Sequence, residues 1–192
     1  MQTKIDICNA ALILIGAEAI SSFDENSKQS AICSLLYDNV YKNNLQGNLW
    51  RFSLRRSHKL NKVDDNINIS YNSNIYKNAY QLPPDFLRLA GLENTNLPYM
   101  VFGTNILCNL EEMQIIYQSV VDEIHLPEYF KKIMVLDLCA LLAGSMLESD
   151  EKTNFYENLK DKQTARARMI DSQTQSSLAI PAQEFSIIAV RT

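Results

Sequence analysis

At Trp50 the apolar residues of this chain change their spacing, and that change limits the folds open to it. Before it, Ile5, Cys8, Leu12 and Ile15 recur at steps of three and four, which places them on one face of a helix over residues 4–15. From Trp50 onward, Phe52, Leu54, Arg56, His58 and Leu60 alternate with Arg51, Ser53, Arg55, Ser57 and Lys59. That is the two-residue period of a strand buried on one face at its start. At Pro127 the helical spacing returns, with Phe130, Ile133, Met134, Leu138, Leu141 and Leu142 as an inward stripe. Helical ends therefore enclose a β middle. The order predicts one α+β domain, mainly α: a helical bundle built from N- and C-terminal helices, with a small antiparallel β-sheet inserted.

Local signals set the expected boundaries. Thr3 caps the first helix, with Asp6 as a weak capping box, and Gly16 stops it. Ile20 and Phe23 anchor the connection. Asn26 or Ser27 caps a second helix to about Gln46, with Ala31, Ile32, Leu35, Leu36, Asn39 and Val40 facing inward and Gly47 at its end. Residues 61–78 are rich in Asn, Asp and Ser and read as a surface loop. Strands are expected over Ala79–Leu82, Phe86–Leu92, Tyr99–Val101, Ile106–Asn109 and Met113–Val120, separated by turn residues such as Pro83-Pro84-Asp85 and Gly103-Thr104-Asn105. Pro127 suits a first helical position. Ser149 or Asp150 caps a last helix over about 151–173, whose sparse apolar positions are Phe155, Leu159, Ala165 and Ile170.

The bulk properties narrow the function. At 192 residues and 46% hydrophobic content the chain can bury a core without disulfide staples. Its formal net charge is -4, so tight DNA binding driven by counterion release is not expected. Cys8, Cys33, Cys108 and Cys139 form no Cys-x-x-Cys pair and read as reduced, buried thiols. The start carries no signal-peptide pattern, and no segment matches a membrane span; Leu138–Leu147 is the most apolar stretch and is too short. The expected protein is soluble and made in the cytoplasm.

No catalytic, cofactor-binding or metal-binding residue is expected. His58 and His125 lack a neighbouring nucleophile motif. Glu111-Glu112 and Asp122-Glu123 are adjacent pairs, which point to opposite faces of a strand and do not chelate by themselves. The five glycines are scattered, so no phosphate loop is formed. Arg51, Arg55 and Arg56, beside Trp50 and Phe52, read either as edge protection on a sheet or as a stacking clamp for nucleic acid.

Several motifs together resemble a known family. Asn9-Ala10-Ala11-Leu12-Ile13-Leu14-Ile15-Gly16 resembles the opening of phage tail tubular protein A and its adaptor relatives. Trp50-Arg51-Phe52, then Leu82-Pro83-Pro84-Asp85-Phe86-Leu87-Arg88, then Tyr117 and Leu126-Pro127-Glu128-Tyr129-Phe130 are similar to its later landmarks. Ala165, Ala167 and Asp171 match its closing Ala-rich helix, so the likeness spans residues 5–175. The loop at 61–78 and the tail after 178 depart from it.

The resemblance implies a structural head-to-tail adaptor (connector) of a short-tailed bacteriophage, located in the virion tail and neck, with no catalytic residues. It implies a homo-oligomeric ring of about twelve copies with closed, heterologous interfaces. Its partners would be the portal protein and the tail nozzle protein, with DNA passing through the channel without tight binding. On this reading residues 1–177 are a single adaptor domain, with helices over 3–47 and 127–175 and the β insertion at about 50–120. Residues 178–192 are an extended C-terminal tail, in which Phe185, Ile187, Ile188 and Val190 are the candidate partner-binding residues. The competing readings are a helical scaffold or interaction protein outside phages, and a small enzyme with an unmarked site.

Overall fold

The computed structural model describes residues 3–63, 75–93 and 97–173. Helix α1 spans Lys4–Ile15. The Thr3 side chain accepts from the Asp6 N–H and the Asp6 carboxylate accepts from the Thr3 N–H at 2.6 Å, completing the capping box. Gly16, at φ +83°, ends the helix in the left-handed conformation that glycine adopts without a Cβ penalty. Asn9 then ties down the following connection: its amide donates to Ile20 O and accepts from Ile20 N, both at 2.8 Å. Ile20 is buried as expected.

Helix α2 spans Lys28–Gln46, capped by Ser27. Its buried face differs from the aliphatic one expected. Ser30, Cys33, Tyr37, Val40, Tyr41 and Leu45 point inward, while Leu35 is 72% exposed and Ala31 and Asn39 also face outward. The stripe is carried largely by Cys33, Tyr37 and Tyr41; the Tyr37 hydroxyl is buried without a hydrogen-bond partner among the described residues, whereas that of Tyr41 finds one. Tyr41 Oη donates to Val121 O at 2.5 Å and accepts from Val121 N at 2.9 Å.

The strand expected over residues 50–60 is mostly absent. Trp50 precedes a single 3-10 turn, Arg51–Ser53, and only Leu54–Arg56 forms strand β1. Trp50 and Ser53 are both buried, three residues apart, because the turn carries both to the same side. The remaining strands are β2 (Asn78–Gln81), β3 (Phe86–Leu92), β4 (Tyr99–Phe102), β5 (Asn105–Cys108) and β6 (Ile115–Ser119). They form two three-stranded antiparallel sheets rather than one, in the orders β1-β6-β3 and β2-β5-β4. Strand β3 shifts register twice against β6, between Phe86 and Arg88 and between Leu89 and Gly91. Such bulges bend a strand and increase its twist.

Helix α3 (Glu128–Leu147) packs against α1, α2 and α4 (Asp150–Gln173), so it is the centre of the bundle. Pro127 sits at its cap rather than inside its first turn. The expected inward stripe is buried except at Leu141, which is 43% exposed. Helix α4 buries only Ala167 and Asp171 fully; Phe155 and Ala165, two of its sparse apolar positions, face outward. The helix is held largely by polar contacts instead. Lys160 reaches Asp137 at 3.1 Å, Gln163 Nε2 donates to Tyr129 O, and Thr153 Oγ1 donates to Ala140 O at 3.4 Å.

Two hydrophobic clusters result. The larger fills the bundle; the smaller, around Tyr80, Ile106, Met113 and Ile115, lies between the sheets. Gln118 of β6 fastens the first sheet to the bundle. The two N–H groups of its buried Nε2 are shared among Leu45 O (2.7 Å), Asn48 O (2.9 Å) and Ser53 Oγ (3.1 Å). Replacing Gln118 by Ala strands these acceptors and is expected to cost about 1–3 kcal/mol, read as a lower urea midpoint with an unchanged slope. An unchanged midpoint would show that the amide is not a fastener.

Candidate interaction surface

The resemblance motifs meet one another in space. Trp50 and Phe52 stack into one aromatic cluster with Tyr129 and Phe130, with ring centroids 5.1–6.3 Å apart. Asp171 of α4 accepts from Tyr129 Oη (2.7 Å) and from Arg51 N (2.8 Å), so the closing helix is pinned to both motifs. Burial, and then the Asp171 carboxylate, push the Tyr129 hydroxyl well above its usual range. At the sheet, Tyr117 Oη donates to Asp85 at 2.9 Å, and Arg55 lies 3.6 Å from the same carboxylate.

The basic residues flagged in the sequence do not form one free patch. Arg55 pairs with Asp85, and Arg56 with Glu93 at 3.0 Å. Glu112 pairs with Lys59, Glu111 lies 4.0 Å from Lys62, and Glu123 lies 3.6 Å from Lys4. These exposed pairs screen one another's charge and contribute little to stability. All four cysteines are buried free thiols. Burial pushes Cys139 up to about 12 and also raises Cys108, while the hydrogen bond to Cys33, followed by burial, raises Cys8. A thiol raised in this way is a poor nucleophile at neutral pH. Among the described residues, no group of three or more His, Cys, Asp or Glu is placed to hold a metal ion. No helix among them is long and apolar enough to cross a membrane.

A cleft of about 720 Å³ opens where the two sheets meet, lined by Arg56, His58, Leu82, Phe86, Thr104 and Tyr117 among others. Apolar surface is exposed in two further places. On the bundle, Ile13 and Leu14 of α1 and Phe155 of α4 are exposed; Tyr156 Oη donates to Leu14 O, and the Tyr156 ring packs edge-on against that of Phe155. On the second sheet, Tyr99, Met100, Val101 and Phe102 of β4 are each 39–44% exposed. The sequence predicts a strand here but gives no sign of this partial exposure. Phe185, Ile187, Ile188 and Val190 lie outside the described residues.

The structure thus defines an α+β, mainly helical fold that carries exposed apolar residues on α1, α4 and β4. Compared with known proteins, the chain matches no family model and no curated protein.

Proposed function

We propose that this protein is a structural head-to-tail adaptor subunit of a short-tailed bacteriophage. On this reading about twelve copies close into a ring through heterologous interfaces. The ring joins the portal protein to the tail nozzle protein and leaves a channel for DNA.

One observation carries the reading. The residues that resemble the adaptor family, far apart in sequence, are direct neighbours in the fold: Trp50, Phe52 and Tyr129 with Asp171, and Tyr117 with Asp85. Residues that set one shared fold are expected to meet in this way. The net charge of -4 and the paired arginines suit a passage that must release DNA rather than hold it.

Electron microscopy of the full chain mixed with its cognate portal tests the proposal. Rings of this protein stacked on portal particles are the expected result. Portal particles that remain bare at saturating protein overturn it.

A further inference from the structure

We propose that α4 is an exchangeable arm: on association, α3 and α4 straighten into one helix at Glu148, and α4 seats on α3 of a second copy of this chain. The corner between the two helices is only two residues long, Glu148 and Ser149. Glu148 stands at φ +49°, in the left-handed region, and among the described residues it is the one non-glycine residue with a positive φ. A side chain makes that conformation costly, which is why helices so often end there on glycine. The chain itself ends α1 in that way, on Gly16. At the α3–α4 corner it keeps a good helix former instead.

Straightening suits the local sequence. Met146-Leu147-Glu148-Ser149-Asp150-Glu151 contains no glycine and no proline. At the bend the N–H groups of Glu148 and Ser149 both turn back to a single carbonyl, Ala143 O. In a continuous helix each takes its own acceptor four residues back, on Gly144 and Ser145, and Glu148 leaves the left-handed region. The bend is held in return by Ser149, whose Oγ accepts from Lys152 N at 3.3 Å. The straight helix would run from Glu128 to Gln173, a length of about 70 Å.

Helix α4 is also the helix that can be handed over. Only Ala167 and Asp171 along it are fully buried. Its fastenings are discrete and polar: Lys160 to Asp137, Gln163 to Tyr129 O, Asp171 to Arg51 N and Tyr129 Oη, and Tyr156 Oη to Leu14 O. Each can be remade, group for group, on a second copy. The seat therefore counts equally in both forms, and the corner decides between them. A short hinge under strain is what favours exchange of an element between copies. That every copy passes its α4 to the next around a closed circle rests on the ring reading above; the exchange itself does not.

The test mixes light and heavy-isotope-labelled full chain in urea, refolds the two together, and divides the product into samples with and without portal. A water-soluble carbodiimide then joins the Lys160 amine to the Asp137 carboxylate, 3.1 Å away, as an amide. The expected product is a Lys160–Asp137 crosslinked peptide pair with one heavy and one light arm, approaching about half of all such pairs. Glu148→Gly removes the penalty at the bend and weakens the straight helix, so it should lower the mixed-label share by about fivefold or more. An unchanged far-UV spectrum with an equal or higher melting temperature would show that the variant still folds. Crosslinks of a single label in both samples, no such crosslink at all, or a mixed-label share unaffected by Glu148→Gly overturns the proposal. Mixed-label crosslinks with portals left bare would sink the adaptor reading and leave the exchange standing. Rings on portals with single-label crosslinks would do the reverse.

Discussion

Cutting Phe130 back to alanine should lower the unfolding free energy by about 3–5 kcal/mol, the range for a buried aromatic replaced by a methyl group. Phe130 is fully buried and is the hub of the aromatic cluster. Its ring meets Trp50 at 5.4 Å, Phe52 at 5.1 Å and Tyr41 at 6.5 Å, each edge-on. Offset and edge-on pairs add to simple area burial. These partners come from α2, from the 3-10 turn and from the segment before it, so the cavity would open at the seam between bundle and sheets. Domains of this kind are stable by only about 5–15 kcal/mol, so the variant should also accumulate poorly. Urea unfolding of the purified variant measures the loss. Phe130→Leu keeps most of the volume and should lose clearly less. A loss below about 1 kcal/mol for the alanine variant would mean the ring is not the hub described.

The second large effect is expected at Asp171. Its carboxylate takes the Arg51 N–H and the Tyr129 hydroxyl, and the residue is only 3% exposed. Asp171→Ala leaves both donors without that acceptor in a closed site, which should cost about 2–4 kcal/mol, since bonds to a charged acceptor are the stronger kind. Asp171→Asn keeps one acceptor oxygen and should fall between the two. Tyr129→Phe removes one donor together with its need, so it should cost less than Asp171→Ala. The double variant Tyr129→Phe/Asp171→Ala should lose less than the sum of the single losses. Strict additivity would show that the two groups do not act on each other.

Helix α1 was legible because its inward residues are aliphatic and its ends carry ordinary caps. The face of α2 was not, because its core contribution comes from Cys33, Tyr37 and Tyr41, which a reading based on aliphatic spacing passes over. Helix α4 was harder still. Its inner side mixes Thr153, Tyr156, Gln163, Ala167 and Asp171, so hydrogen bonds share with a little apolar packing the work of holding it in place. The stretch after Trp50 misled through its charges: Arg51, Arg55 and Lys59 simulate strand alternation where the chain makes a turn and a three-residue strand. The division into two sheets depends on pairings between distant segments, such as β1 with β6, which periodicity does not encode. For the candidate surface, the sequence marked β4 as a strand, but its exposure is a property of the assembled sheet. The tail residues singled out in the sequence lie outside the described structure.

Helix α1 packs mainly on α3, not on α2, its neighbour in sequence. During synthesis its oily side emerges before α3 and must wait for residues 133–142, more than a hundred residues later. At about 5–20 residues per second that delay is on the order of ten seconds. Throughout it the nascent chain carries an unsheltered aliphatic stripe, a natural target for ribosome-associated chaperones.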